Sequence, residues 1–495
     1  MEKNLKQMID LLPGCQVYGE KDKKIEMIAH DSRKVNANML FVCITGATVD
    51  GHNYIEQAVK NGAVAVLVEK DVVVPDDITV IRVQDVKASI QAIVPYFYDY
   101  PARKMRMIGI TGTNGKTTTS YLIRAILRTA GFKVGVIGTI QILIEDRVLP
   151  IHNTTPDVID LQSILAEMAD CGMDYVVMEV SSHALAQNRV AGCEFDAAVF
   201  TNVTQDHLDY HKTFENYIAA KAKLFASLVD ENNAKSNKNA IVNLDDDASQ
   251  AMLDQTKCNV LTYGVKKKSD IIAQDICVLA RGANFTVTGD FGSMPLNLKI
   301  TGVFNVYNVM GAIGAALAEG IDEKVIRETL EAFTSVPGRF ELVDEGQNFS
   351  VIVDYAHTPD GLENILKTAR EIAENRIITV FGCGGDRDRT KRPIMGRIAT
   401  ELSDVVIATS DNPRTEDPEF ILSQVEEGVL AVLGDKQHEK ITDRKTAIHQ
   451  AISIAEAGDI VIIAGKGHED YQILKDRTIH FDDKEIAREA IRGLK

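Results

Sequence analysis

Thr111-Gly112-Thr113-Asn114-Gly115-Lys116-Thr117-Thr118 follows the apolar run Met107-Ile108-Gly109-Ile110 and precedes a helix-like run over 120–130. Strand, glycine loop and helix in that order make a phosphate cradle. Loop N–H groups can curl around an anion, the helix N-terminus adds partial positive charge, and Lys116 adds a full one. Thr117 is placed to set its hydroxyl on Mg²⁺. The spacing is Gly-x-x-Gly-Lys-Thr, because the longer common loop needs glycine where Ile110 stands. A glycine turn with a surface lysine is the plain alternative, and the strand and helix on either side argue against it. The stretch predicts a domain that binds ATP or GTP without naming a reaction.

At 495 residues the chain is long for one domain, and length predicts about three. Two segments read as joints: Asp99-Tyr100-Pro101-Ala102-Arg103-Lys104, and Ser335-Val336-Pro337-Gly338-Arg339. Each sets proline among small or polar residues between periodic stretches. They divide the chain into 1–103, 104–336 and 337–495. In the first part, Leu40-Phe41-Val42-Cys43-Ile44 reads as a strand, 54–61 as a helix and 63–68 as a strand. The second part adds buried strands at 175–178 and 197–200. In the third, four apolar runs (351–353, 377–381, 405–408 and 460–464) each lead into a polar loop, with helical stretches between. The expected fold is α/β in three domains. An N-terminal α/β domain comes first, then a central phosphate-loop domain with a mostly parallel sheet. A Rossmann-like doubly wound domain follows, whose ligands gather beyond the strand C-termini.

The net charge of -17 argues against a nucleic-acid grip. Seven widely spaced cysteines without a Cys-x-x-Cys pair fit reduced cytosolic thiols. Leu5, Met8, Ile9 and Leu12 make an amphipathic first helix, not a secretion signal, and no apolar run is long enough to span a membrane. The chain reads as a cytoplasmic, monomeric protein acting on small molecules.

Chemistry collects at strand tips. Glu179 ends a buried run and is placed as a partner for Mg²⁺ or its waters, with helix capping as its alternative. The loop 201–211 packs many hydrogen-bonding groups. His207 within it is either a metal or phosphate ligand or structural. Lys221 lies within the apolar stripe Phe214, Tyr217, Ile218, Leu224, Phe225, Leu228, while Lys223 falls off it. Spacing alone favours a snorkelling lysine over a depressed amine that takes up CO₂ as a carbamate. Gly382-Cys383-Gly384-Gly385-Asp386-Arg387-Asp388-Arg389, Asp411-Asn412-Pro413-Arg414 and Gly465-Lys466-Gly467-His468-Glu469 follow three strands. They offer the cationic fork and anionic partner that an α-amino acid needs.

Residues 111–118, Glu179-Val180-Ser181-Ser182-His183, Asp206-His207-Leu208-Asp209-Tyr210-His211 and Asp354-Tyr355-Ala356-His357-Thr358-Pro359 together resemble the Mur ligases of bacterial cell-wall synthesis. Asn153-Thr154-Thr155-Pro156, 411–414 and 465–469 narrow the likeness, over essentially the whole chain, to members that take diaminopimelate. The resemblance implies an ATP- and Mg²⁺-dependent ligase joining meso-diaminopimelate to UDP-N-acetylmuramoyl-L-alanyl-D-glutamate through an acyl phosphate. It implies that Thr111, Gly112, Thr113, Asn114, Gly115, Lys116 and Thr117, with Asn305, Asn308, Arg339 and Asp354, bind ATP. Ser32 would contact the UDP-sugar, and Thr154, Thr155, Ser181, Gln187 and Arg189 the sugar-peptide near its reacting end. Arg387, Asp411, Asn412, Pro413, Arg414, Gly465 and Glu469 would hold the amino acid. Lys221 matches the family's carbamylated lysine, which reverses the ordering that spacing gave. Thr117, Glu179, His207 and the Lys221 carbamate would organise Mg²⁺, with Lys116, Glu179, His207 and Lys221 catalytic. A folylpolyglutamate-type synthetase is a rival that leaves the first domain and 411–414 unexplained. A nucleotide switch without bond-forming chemistry leaves the amino-acid rim unexplained.

Overall fold

The computed structural model describes residues 2–46, 49–151 and 153–494. They form two compact units, Met1–Tyr263 with Gly311–Ile321, and Gly264–Met310 with Asp322–Lys495.

The first unit opens with a five-stranded sheet in the order Gln16–Tyr18, Thr79–Arg82, Ala63–Val68, Met39–Val42, Met27–Ala29. All its pairs are parallel except the first. The stretch expected as a helix over 54–61 is a 3₁₀ turn, Gly51–Tyr54, running into the helix Ile55–Lys60. Asp50 caps the turn by accepting from the His52 amide. Leu5, Met8, Ile9 and Leu12 are buried as their spacing requires.

In the same unit, strand Arg106–Thr111 lies between Tyr175–Glu179 and Ala197–Phe200, parallel to both. Asn239–Asn243 and Asn259–Gly264 extend the sheet on one side and Val134–Ile137 on the other. The parallel run is closed at that side by the antiparallel strands Ile142–Ile144 and Arg147–Leu149. Register decides where the chemistry falls. Glu179 pairs with Ile110, and Phe200 with Thr111. The carboxylate, the glycine loop and the chain from Thr201 onward therefore leave the sheet at one level. The strand has glycine at 109 for a packing reason. A Cβ there would lie 2.8 Å from the Phe195 ring and 3.0 Å from Leu224. The bare backbone lets helix Phe214–Leu228 lie close against the strand, which carries Lys221, one turn earlier, to the loop. The helix after the loop begins at Lys116 itself and runs to Thr129, because Gly115 takes the left-handed φ of 85° that opens it.

The second unit contains an antiparallel meander of Ile271–Leu279, Gly282–Gly289 and Gly292–Leu298, and a six-stranded sheet. The sheet order is Glu341–Leu342, Ser350–Asp354, Ile460–Ala464, Ile377–Phe381, Val405–Ala408, Gln437–Lys440. Only the Glu341–Leu342 pairing is antiparallel. Helices Pro359–Ile372, Lys391–Leu402 and Pro418–Leu430 bury Leu362, Leu366, Met395, Ala399, Leu422 and Val425 on one face. Arg444–Ser453 and Asp483–Arg492 bury Ala447, Ile448, Ala487 and Ile491 on the other. This is the doubly wound arrangement that the four apolar runs predict. The edge strand Gln437–Lys440, all polar, is an addition to that reading.

Candidate active site

Two ammonium groups meet at one loop carbonyl. Lys116 Nζ donates to Gly112 O at 2.9 Å and to Thr113 O at 2.9 Å, and Lys221 Nζ donates to Gly112 O at 2.7 Å. Lys221 is 1% exposed, and its ammonium lies 4.3 Å from the Tyr217 ring centre. Burial, and then the charge of Lys116, push the Lys221 amine well below the ordinary lysine range. A snorkelling lysine would keep its head in water, and this one does not.

The chain 201–204 clamps the loop. Thr113 N donates to Asn202 O at 2.7 Å, Asn114 N to Asn202 Oδ1 at 3.0 Å, and Thr201 Oγ1 to Asn114 O at 2.7 Å. Two amides expected to face an anion are thus held by Asn202, so a triphosphate competes with Asn202 for them. A Cβ on Gly112 would lie 1.8 Å from Thr201 Oγ1, so nothing larger than glycine fits.

Glu179, 1% exposed, is the centre of a second network. Its Oε2 accepts from Thr117 Oγ1 at 3.0 Å and Thr139 Oγ1 at 2.9 Å, and its Oε1 from Thr139 N at 2.8 Å. Three donors offset the cost of burying the charge. Thr139 Oγ1 also lies 3.1 Å from Thr154 Oγ1. Thr155 Oγ1 donates to Glu179 O at 2.8 Å and accepts from Ser181 N at 3.1 Å. Arg189 reaches Thr155 O at 3.2 Å and Gln187 Oε1 at 2.9 Å, and Gln187 donates to Tyr210 Oη at 3.1 Å. Thr154, Thr155, Ser181, Gln187 and Arg189 therefore join Thr117 and Glu179 in one connected patch. Ser32 sits on the 3₁₀ turn Ser32–Lys34 of the first sheet, its carbonyl accepting from Asn61 at 2.8 Å.

His207 is half-exposed at φ 53° and stacks edge-on to His183 at 4.7 Å. Tyr217 lies 6.1 Å from it, and the Tyr217 hydroxyl meets Thr113 Oγ1 at 3.0 Å. His211 contacts Ser182 Oγ at 3.0 Å. Burial, with the neighbouring His207, lowers the pKa of both His183 and His211.

In the second unit, Asn305 and Asn308 are buried on helix Val303–Ala318. Asn308 donates to Asn305 Oδ1 at 3.0 Å and Asn305 to Thr301 O at 2.8 Å. Phe304 meets Phe340 edge-on at 5.3 Å, next to Arg339, whose guanidinium lies 5.2 Å from the Tyr355 ring. Asp354 accepts from Phe340 N at 2.7 Å and Ala356 N at 2.8 Å. Burial raises its pKa against the pull of Arg339. His468, 4.9 Å from the same tyrosine ring, is lowered to about 4 by burial and Arg339.

The rim beyond the six-stranded sheet is tightly tied. A Cβ on Gly385 would lie 1.9 Å from Pro413 O, and Gly385 N donates to Asn412 O at 2.9 Å. Arg414, at φ 52°, gives Nη1 to Gly385 O at 2.8 Å and to Asn412 O at 3.4 Å. Asn412 Nδ2 and Lys466 Nζ both donate to Glu469 Oε2, at 3.0 and 3.2 Å. Asp411 is buried beside Gly465, where a Cβ would approach its Oδ2 to 2.7 Å. Arg387 is exposed, with no side-chain hydrogen bond among the described residues. Fully buried Arg392 instead ties the loops together through Glu416 at 2.9 Å and Gly384 O at 3.2 Å. The sequence reading passed over Thr139, Asn202, Tyr217, Arg392 and Lys466 as site-building residues. Asn202 and Lys466 stood inside quoted loops and Tyr217 inside the apolar stripe around Lys221, without a role of their own; Thr139 and Arg392 carried no motif.

A phosphate loop with buried Lys221 and Glu179 beside it, and a rim of paired charges and bare glycine backbone on a doubly wound sheet, give the parts of an ATP-type ligase architecture. The comparisons agree: residues 24–100 match the Mur ligase family catalytic domain, 110–316 the Mur ligase middle domain, and 338–467 the Mur ligase glutamate ligase domain. The chain belongs to the Mur ligase family, the ligases of peptidoglycan precursor synthesis. It is similar to proteins named UDP-N-acetylmuramoyl-L-alanyl-D-glutamate–2,6-diaminopimelate ligase. The one from Bacillus cereus is 48% identical over 489 residues, covering 99% of this chain and 98% of that protein. The one from Clostridium botulinum is 48% identical over 480 residues, covering 96% and 97%. A solved structure of a ligase of that name is 34% identical with a TM-score of 0.71, covering 100% of this chain and 99% of that one.

Proposed function

We propose that the protein forms the amide bond between UDP-N-acetylmuramoyl-L-alanyl-D-glutamate and meso-diaminopimelate at the expense of ATP; the two compounds joined, without the stereoisomer, are those in the names of its relatives. The side-chain carboxylate of the D-glutamyl residue attacks the γ-phosphorus of ATP. An acyl phosphate forms and ADP leaves. The amine of diaminopimelate then attacks the acyl carbon, inorganic phosphate leaves, and the amine gives up a proton. Carboxylate and triphosphate must be pressed together, and Lys116 with the N-terminus of helix Lys116–Thr129 offsets their repulsion.

The assignment of the amino acid is carried by Arg414. Both Nη1 bonds go to carbonyls, and among the described residues Nε and Nη2 make no hydrogen bond. That edge matches a carboxylate through two parallel bonds. Diaminopimelate is lysine with a further distal carboxylate, so the fork accepts the first and leaves the second unmatched. Glu469 and Asp411 supply the anionic side for its ammonium groups.

Thr117 and Glu179 present hard oxygen donors 3.0 Å apart beside the loop, a set suited to Mg²⁺, which supplies further charge neutralisation when bound. The Thr117 and Thr139 hydroxyls each spend their proton on the carboxylate. The Lys221 amine, whose pKa burial pushes well below the ordinary lysine range, is suited to give up its proton and attack CO₂. The ammonium first gives up one proton, the N–C bond forms as the amine adds to CO₂, and a second proton leaves the nitrogen, so a cation becomes an anionic oxygen ligand. His207 completes the proposed set. We also propose that 1–103 holds the uridine nucleotide, with Ser32 contacting it. In this division 104–336 holds ATP, with Asn305 and Asn308 on its nucleotide side, and 337–495 holds the amino acid, with Arg339 and Asp354 reaching the nucleotide. We take the protein to be a cytoplasmic monomer. Among the described residues no helix is long and apolar enough to cross a membrane. The test is the product mass from UDP-muramoyl-dipeptide, ATP and a mixture of amino acids. Addition of diaminopimelate is expected; equal addition of lysine refutes the Arg414 argument.

A further inference from the structure

Resting on that reading of Glu179 as the metal carboxylate, we infer that Thr139 is a positioning residue that couples the sugar-peptide site to the metal site. Thr139 follows Gly138 at the end of Val134–Ile137, the strand paired with Tyr175–Glu179. A Cβ on Gly138 would lie 2.3 Å from Glu179 Oε1, so the bare backbone lets the carboxylate in. Thr139 then grips both oxygens, its amide on Oε1 at 2.8 Å and its hydroxyl on Oε2 at 2.9 Å. A two-point grip fixes the carboxylate plane, which a single bond cannot.

The proton count gives the chain a direction. A threonine hydroxyl has one proton. That of Thr139 goes to Glu179, so across the 3.1 Å contact Thr154 is the donor and Thr139 the acceptor. Thr154 therefore faces a ligand with lone pairs only, and receives an N–H or O–H of the sugar-peptide without disturbing the chain. A ligand carboxylate or phosphate demands the Thr154 proton instead and takes it from Thr139. The Thr139 hydroxyl thus stands between acceptor-substrate occupancy and the orientation of Glu179. The group next to a metal ligand commonly changes metal affinity by about 10–100-fold.

The experiment uses the full chain with Mn²⁺, counted by its electron paramagnetic resonance signal, and a non-hydrolysable ATP analogue, with and without UDP-muramoyl-dipeptide. Thr139→Val keeps shape and loses the hydroxyl. It is expected to weaken Mn²⁺ binding about tenfold and to abolish the change in Mn²⁺ affinity that the dipeptide nucleotide produces in the parent protein. Thr139→Ser restores both. The inference is overturned if the valine variant binds Mn²⁺ as the parent does. It is equally overturned if the parent shows no response to the dipeptide nucleotide, or if serine fails as valine does while melting at the parent temperature. Glu179→Gln separates the two levels: unchanged Mn²⁺ binding there overturns the metal reading itself.

Discussion

Replacing Arg414 by alanine should separate amino-acid recognition from nucleotide binding. The side chain is half-buried, with Nη1 fixed on Gly385 O at 2.8 Å and the Nε/Nη2 edge held ready. Two charge-assisted bonds at about 1.5–3 kcal/mol each give about 3–6 kcal/mol, and truncating one partner of such a pair costs about 2–5 kcal/mol. Partial exposure argues for the lower part, about 3 kcal/mol, or roughly 150-fold in kcat/KM for diaminopimelate. Arg414→Lys keeps the charge without the fork and should lose about tenfold. The assay compares kcat/KM for diaminopimelate and for lysine, together with binding of an ATP analogue to the same preparations. The ratio between the two amino acids should collapse toward one in the alanine variant while analogue binding stays near the parent value. An alanine variant within threefold of the parent, with its preference intact, would refute the reasoning.

Lys221→Ala should be nearly inactive. Bicarbonate should restore nothing, whereas short-chain carboxylic acids, filling the space of a carbamate, should restore part of the activity; full activity in that variant would remove the carbamate. Gly112→Ala places a Cβ 1.8 Å from Thr201 Oγ1 at φ 155°, and about 1–3 kcal/mol of strain should weaken ATP-analogue binding at least about tenfold by calorimetry. Arg392 and the Asp386 amide hold the Glu416 carboxyl down to about 2 from an ordinary 4.5. A depressed carboxylate contributes stability that is present above the unfolded value and lost as pH falls through the folded one. Glu416→Gln should therefore lower the urea midpoint at neutral pH and flatten its decline between about pH 4.5 and 2; an unchanged acid limb would contradict this.

The sequence is readable where one physical signal dominates. Ile377–Phe381 and Val405–Ala408 are short, continuous, β-rich runs and lie in strands. Lys221 sits on the buried face that its place in a helical stripe assigns it, because the 3.6-residue period fixes which face a residue occupies, whereas the burial of its ammonium departs from the snorkelling that spacing alone favours. Gln437–Lys440 carries no apolar residue; among the described residues it pairs with Val405–Ala408 and is tied by polar side chains to Glu426 and Gln450, contacts that no local apolar pattern signals. Thr139 escaped notice because its importance lies in three contacts with residues 15 to 40 positions away, which no local pattern encodes. Lys466 stood in plain view within a glycine loop, where composition argues for exposure, yet it is fully buried beneath Glu469 and Asn412.

Strand Ile460–Ala464 arrives last of the six yet lies between Ser350–Asp354 and Ile377–Phe381. During synthesis these two neighbours emerge long before the strand that joins them, and until it arrives each exposes an unpaired edge of buried-type residues. The nascent lobe must therefore stay uncommitted, and open to wrong strand pairing, until nearly the whole polypeptide has left the ribosome. A premature stop between residues 381 and 460 should yield aggregate or degraded chain rather than a partly working protein.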